Sequence, residues 1–536
     1  MKKKNVIFFT QSSNLDMFYH TSEAMKEYIA LDKIGFYVTD SRFYKKFITH
    51  HRTFHEQSLS ILKEWENIRS AKDVTVDMTV LRQYEEEIGQ PFLWDALVAD
   101  RRIYWGRKYS YDQDYRARFN HEQMLAILQV GLNRLEAFFD EVRPDFIVSF
   151  QCLTLGDFLS YLIARKRNIH ILNLRPTRIR NYFYAGETVY EPSRTLQDTY
   201  EHFLNQGIEA HLRDRALNYV QEVRQSHAMY EGVVRPSQKP PARIASQKRF
   251  FGLPKLKNII ELFSEGWKYN FGEYRDDNHS VDPFGCFLGQ RIVGPWRAQQ
   301  MEGQFRKLYV TADQLSSLTY AFFPLHTEPE VTLSVYSKAY LNQIEVVRLI
   351  SHNLPVGMKL VIKEHPWSIG KRPLSYYRKL MAIPNVMLSQ PAITSRDLIC
   401  HARIVTVIAG SIGFEGIVLK KPVIVLGGAP YNYLPSSMIR YAANPMKLGE
   451  EIRALLEQYE YKEEALLSYV AAVMQESVSV DFYSRLLKRP GAYNPDGLGD
   501  EESQTQEWAM HIKTLARYLV DTVAKRETPL CAKKTF

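Results

Sequence analysis

The sequence predicts an α/β protein made of two parallel-sheet domains, with helical insertions in its N-terminal half. Three observations carry this. A chain of 536 residues is too long for one compact core. Strand-length apolar runs alternate with helical patterns in both halves. In the C-terminal half, polar clusters stand directly after the apolar runs, where an open parallel sheet binds its ligands.

The opening residues 5–10 read as a buried strand, followed by a helical pattern over 24–31 and a strand at 34–38. Residues 41–69 read as polar helix, and 93–120, rich in Tyr and Arg, show no clean period. Regularity returns with a helix over 121–142, a strand at 145–150, a helix over 156–167 and a strand at 169–174. Strands are expected at 320–324, 359–363, 386–389, 404–408 and 423–426, with helices at 337–351, 375–381, 395–401 and 412–419 between them. A helical stretch follows Pro445, then a turn-rich loop at 489–499 and a closing helix over 507–526. In that helix Trp508, Ile512, Leu515, Leu519 and Val523 fall at helical spacing, which predicts that it packs back on the N-terminal domain. The expected domains are 1–230, a linker or insertion at 231–310, 311–485, and the closing segment 486–536.

Composition narrows the class. Hydrophobic residues at 45% and charged residues at 24% are those of a globular protein. The apolar run after Lys2-Lys3-Lys4 stops too soon for a signal peptide, and no run approaches the length of a membrane span, so a soluble, cytoplasmic protein is expected. Four widely spaced cysteines offer neither a disulfide framework nor a zinc pattern. The net charge of +9 suits an anionic partner, and nucleic acid, nucleotide phosphate and acidic membrane all satisfy it. Residues 232–260 contain seven positive charges and no acid, read first as a linker and second as a surface for the inner membrane.

Three clusters carry the chemistry: Leu325-His326-Thr327-Glu328-Pro329-Glu330, Glu364-His365-Pro366 preceded by Lys363, and Gly410-Ser411-Ile412-Gly413-Phe414-Glu415. The small-residue turn at Gly410 to Gly413 leaves backbone N–H groups open to a phosphate, and Ser411 adds a hydroxyl. It is neither a Walker loop nor a dinucleotide fingerprint. Glu415, one turn on, is placed to accept from ribose hydroxyls or simply to favour the helix start. Pro366 suits a first helical position and fixes the imidazole of His365 at the sheet edge.

With these residues the sequence resembles the bacterial capsule polysaccharide biosynthesis proteins, B-type glycosyltransferases that include the Kdo transferases and are distantly similar to bacterial sialyltransferases. The matching elements are Phe323-Pro324-Leu325-His326 with Pro329-Glu330, Lys363 to Pro366, and Gly410-Ser411, Gly413 and Glu415 followed by Lys421-Pro422-Val423-Ile424. The resemblance implies two Rossmann-like domains facing across a cleft, a GT-B-like fold. It also implies a nucleotide-sugar donor held by His326, Glu330, Lys363, His365, Pro366, Gly410, Ser411, Gly413 and Glu415. A CMP-sugar is favoured. Relatives often show paired serines where this chain has Gly410-Ser411, so a UDP- or GDP-sugar stays open.

B-type transferases place acceptor and base in the N-terminal half, and Asp157 and Asp100 are the candidates there. The acceptor would be a polysaccharide or lipid-linked glycan, and the reading takes no nucleic acid and no cofactor beyond the donor. No metal is expected, because no Asp-x-Asp stands at a predicted strand end; Asp112-Gln113-Asp114 has the spacing in the unplaced stretch, and Asp276-Asp277 lies in a polar loop. A sugar-nucleotide epimerase or hydrolase, and a non-catalytic assembly protein, share the architecture.

Overall fold

The computed structural model describes residues 3–11, 14–51, 59–89, 93–104, 117–226, 256–272, 275, 277, 282–328, 330–487 and 501–527. The loop at 489–499, most of the basic run 235–257, Asp112 to Asp114, Asp276 and Pro329 lie outside them.

The N-terminal half supplies β1 (Lys4–Thr10), β2 (Leu31–Val38), β3 (Leu59–Lys63), β4 (Phe146–Phe150), β5 (His170–Pro176) and β6 (Tyr182–Gly186). The C-terminal half supplies β7 (Tyr320–Pro324), β8 (Lys359–Lys363), β9 (Val386–Leu388), β10 (Ile404–Val407), β11 (Val423–Val425), β12 (Ile439–Tyr441) and β13 (Val478–Ser479). They build two sheets, ordered β13-β6-β5-β4-β1-β2-β3 and β12-β11-β10-β7-β8-β9. The second is parallel throughout; in the first only the β5–β6 and β6–β13 pairs are antiparallel. These are two Rossmann-like sheets, the fold class the alternation predicts.

Central strands such as β1 and β4 are buried on both faces, which is why their sequence is a continuous apolar run. Gly35 of β2 admits the helix His121–Val142: a Cβ there would stand 2.9 Å from the Phe138 ring and 3.0 Å from Val142. That helix starts on a capping box between Asn120 and Gln123, and ends where Arg143 turns left-handed (φ 52°) before Pro144.

The expected strands recur, with corrections around them. The first helix is Asn14–Met25, and residues from Leu31 already belong to β2. The stretch 41–69 is no single helix but Ser41–His50, β3 and Glu64–Ser70. Only one residue of β3, Leu62, is buried, so this edge strand lacks the apolar run that marks its neighbours. β6, β12 and β13 went unread because they are short or antiparallel additions at sheet edges.

The chain crosses between the sheets twice. Helices Arg194–Gln206 and Ala210–Gln225, within the segment read as N-terminal, bury Leu196, Tyr200, Phe203 and Tyr219 in the core of the second sheet beside helix Glu463–Glu476. The closing helix, Glu501–Glu527, returns to the first sheet, where Ile512, Leu515, Leu519 and Val523 share a core with Val6, Phe8 and Phe183. Its Tyr518 accepts the Ala185 N–H at 2.8 Å and donates to the Glu476 carbonyl at 2.9 Å, satisfying the outer side of β6.

Leu515 is fully buried in that shared core. Leu515→Ala should therefore cost about 2–5 kcal/mol, the range for emptying a packed core position. Urea unfolding followed by circular dichroism checks it; a loss of only a few tenths would show that the helix is peripheral.

Candidate functional site

Strand order decides where the crevice lies. From β7 the chain steps to β8 and β9 on one side, then to β10, β11 and β12 on the other. The strand order therefore reverses between β7 and β10, the place where open α/β sheets bind ligands. The three polar clusters follow β7, β8 and β10, which are adjacent strands.

The clusters meet in detail. The His326 ring lies on Gly410, where a Cβ would stand 3.0 Å from its Cε1. Gly413 is needed for close approach too, since a Cβ there would come within 2.3 Å of the Tyr431 hydroxyl, which itself donates to the Gly410 carbonyl at 2.5 Å. Ser411 opens the helix Ser411–Val418 and is half-buried; Gly410, the preceding cap, has no side chain to satisfy the first N–H groups.

His365 sits at the exposed rim after β8 and caps the short turn Pro366–Ser368: its Nδ1 accepts the Trp367 N–H at 3.2 Å. That bond assigns the proton to Nε2, which is left as a donor. The low-dielectric walls around the ring, with His326, Arg372 and Lys371 adding to them and Glu330 opposing, push its pKa down to about 4. His365 is therefore neutral near pH 7. Glu330 faces it half-exposed, 3.5 Å from His326 Nδ1. Burial tends to raise its pKa, but His326 first, then Arg178, hold it below the ordinary glutamate range.

Beneath these loops lies a buried ion cluster. The Arg372 guanidinium donates to both oxygens of Glu364 at 2.7 and 2.6 Å, to the His326 carbonyl at 2.5 Å and to Glu328 at 3.2 Å. Tyr377 donates to Glu364 at 2.7 Å, and Gln343 donates to Glu328 and to the His326 carbonyl. Burial works against the charge on Arg372, but Glu364 foremost raises its pKa well above the usual value. The cluster ties the β7 loop to the β8 loop.

Not every expected donor-site residue faces the crevice. Lys363 is buried, and its ammonium donates to the carbonyls of Pro391 and Ile393 at 3.2 and 2.5 Å. Burial lowers its pKa to about 8, with Glu364 and Asp397 opposing. Its role here is to hold the 391–393 loop, a correction to the sequence reading. The Glu415 carboxyl, half-buried a turn into its helix, is raised by burial against the pull of Arg396. Pro366 is exposed and serves to start its turn.

Comparison with known proteins fits the place of these clusters. Residues 296–435 match the family model described as capsule polysaccharide biosynthesis protein, and all three clusters fall inside the match. The match spans 140 of the 536 residues, so the likeness is to that segment. Among solved structures, the chain is similar to the beta Kdo 2,4 transferase of Thermosulfurimonas dismutans at 12% identity, over 65% of this chain and 84% of that one, with a TM-score of 0.34. It is also similar to the UDP-GlcNAc 2-epimerase of Neisseria meningitidis at 13% identity, over 88% of this chain and 98% of that one, with a TM-score of 0.27. No curated protein matches it.

The N-terminal sheet has its own reversal between β1 and β4. Both acidic candidates lie there, and both are helix caps. Asp157 closes a capping box with Thr154 at the head of helix Leu155–Lys166; its Oδ2 accepts the N–H groups of Leu153 and Thr154, each at 3.0 Å, and the Gln11 amide. Asp100 accepts from the N–H groups of Arg102, Ile103 and Leu155 at 3.0, 3.1 and 3.1 Å, using both oxygens. They differ in what remains. Asp157 Oδ1 is buried without a hydrogen-bond partner, and burial raises this carboxyl to about 7.

Sequence reasoning missed Arg372, Gln343 and Arg178. Arg178 leaves the N-terminal half to donate to the Ala409 carbonyl at 2.9 Å, beside the Gly410 turn. A signal for it existed: Arg175, Arg178 and Arg180 follow an expected strand, the criterion that identified the other clusters. Asp277 is buried and accepts from the Ser41 N–H and hydroxyl at 2.8 and 2.6 Å, which commits it to a helix start. Among the described residues, Asp16, His20 and His51 bring their donor atoms within 4.8 Å of one another and could hold a divalent cation, away from the three clusters; His51 Nε2 already pairs with Asp16 at 2.9 Å.

Two outcomes follow from this geometry. Arg372→Ala should destabilise the protein by about 3–5 kcal/mol, because it leaves two buried carboxylates unpaired, and Arg372→Lys should not restore the loss, because an ammonium cannot form the fork. Chemical denaturation of the three proteins measures this. The Asp157 carboxyl titrates near 7 in the fold against 3.8 when free, so its contribution to stability is present below pH about 4 and is lost as pH rises through 7. The melting temperature of Asp157→Asn relative to wild type should accordingly climb between about pH 4 and pH 7 and level off above; a constant difference would remove the buried, protonated carboxyl.

Proposed function

We propose that this protein is a glycosyltransferase that moves a sugar from a nucleotide-activated donor, a CMP-sugar in first place, to a growing capsular or other surface polysaccharide. The observation that carries the reading is the meeting of His326, the His365 rim and the Gly410-Ser411 turn at the reversal point of the C-terminal sheet. A nucleotide phosphate set there receives the open N–H groups and hydroxyl of the Ser411 helix start and the Nε2–H of a neutral His365, while Arg178 adds positive charge from the opposite body. Glu330, ionised and facing the crevice, suits a sugar or ribose hydroxyl as hydrogen-bond acceptor.

Transfer needs a group to take the acceptor's proton as the glycosidic bond forms and the nucleotide leaves. Asp157 is favoured over Asp100. Its pKa lies near the working pH and one oxygen remains uncommitted, whereas Asp100 spends both. No metal takes part in this scheme. The acceptor is a polysaccharide or lipid-linked glycan at the inner face of a membrane.

The test is a thermal-shift series with CMP, UDP and GDP, since a ligand that binds only the folded state raises apparent stability. His365→Ala and Ser411→Ala should each weaken binding by about 1–3 kcal/mol with the fold intact, the range for hydrogen bonds to a charged group. Asp157→Asn should keep nucleotide binding and lose nucleotide release from the donor in the presence of acceptor. Unchanged affinity in both crevice variants would sink the donor site.

A further inference from the structure

Helix Leu256–Asn270 presents one face to the protein and leaves the other uncovered. Inward, Gly266 presses on the Phe284 ring, where a Cβ would stand only 2.1 Å away, and Tyr269 is buried. This seats the helix on its neighbour Pro283–Leu288. Outward, Ile260, Phe263, Trp267 and, just past the helix end, Phe271 follow at spacings of three, four and four residues; each is between 62% and 70% exposed, with one edge of the Phe263 ring against Phe284 at 5.2 Å between centroids. That spacing makes a single stripe along the helix. Single exposed apolar residues are ordinary, but a continuous aromatic and aliphatic stripe marks a surface that something covers. The next helical run repeats the pattern: Leu288, Ile292 and Trp296 are exposed at four-residue intervals.

Charge identifies the occupant. On the helix itself Lys268 pairs with Glu265 at 3.3 Å, and Glu261 offsets Lys257, so the helix is close to neutral. The sequence leading into it is not neutral: residues 232–255 carry six positive charges and no acid. An apolar stripe rich in Trp and Phe, entered from a basic run, has the chemistry of an element lying in the plane of an anionic lipid surface. Among the described residues no helix is long and apolar enough to cross a membrane, so contact through this helix would be in-plane.

We infer that the exposed stripe Ile260, Phe263, Trp267 and Phe271 docks this protein on an anionic lipid bilayer. The inference rests on the proposed function only for its purpose, to hold the crevice beside a lipid-linked acceptor. Nucleotide binding tests that function separately.

The experiment is sedimentation of the full chain with vesicles of phosphatidylglycerol and phosphatidylethanolamine, and with vesicles of phosphatidylcholine alone, at low and high salt. Wild type should bind the anionic vesicles preferentially and release with salt, because exposed charges are screened over about 10 Å at 0.1 M. The triple variant Ile260→Ser, Phe263→Ser, Trp267→Ser should bind at least about tenfold more weakly, with melting temperature and nucleotide response unchanged. Should the triple variant fold poorly, Trp267→Phe supplies the second reading: brominated lipid should quench wild-type fluorescence more than that of the variant. Equal binding of wild type and triple variant overturns the proposal. So does a lipid-independent dimer, seen by sedimentation velocity, that the triple variant abolishes. Vesicle binding that persists alongside absent nucleotide response would sink the donor reading alone.

Discussion

The site depends on one buried cation. Arg372 holds Glu364, Glu328 and the His326 carbonyl at once, and it is 1% exposed. A charge so deep is tolerable only when every partner is in place. Here the partners are the loops after β7 and β8, so satisfying Arg372 fixes the positions of His326 and His365 together. Tyr377 and Gln343 complete the carboxylates' hydrogen bonds and leave those loops little freedom to move independently.

That constraint sets the electrostatics above it. Held at the rim by its own cap bond, His365 is pushed towards its neutral form and presents a donor rather than a charge. The positive charge near the turn comes from Arg178 of the other body. In the proposed donor site, a neutral donor in the C-terminal wall and a cation from the N-terminal side would together meet a phosphate.

The two bodies are joined by exchange of elements. Helices at Arg194–Gln206 and Ala210–Gln225 pack into the C-terminal core, and the closing helix packs into the N-terminal one. Each sheet is thereby completed by chain from the other half. Each sheet has its own reversal point, one lined by Gln11 and Asp157 and the other by His326 and Gly410.

Sequence by itself determined the strands, because residues such as Val6 to Phe9 and Leu360 to Ile362 are apolar without interruption, the mark of strands covered on both faces. It also determined that the polar clusters follow three of those strands, since that needs only the order of residues. It did not reveal β3, whose edge position removes the apolar run, or β6 and β13, which extend the sheet antiparallel. Only the tertiary structure decided which polar residues face the crevice. Lys363 and Asp100 have the chemistry of site residues, but each finds buried backbone partners that the linear sequence does not display. Arg372 has unremarkable sequence surroundings and Arg178 only its place after an expected strand; both matter because folding places their long side chains against loops 46 and 231 residues away. Local pattern fixes elements because period and burial are short-range; the site is fixed by long-range pairing of charges, which exists only once the sheets are assembled.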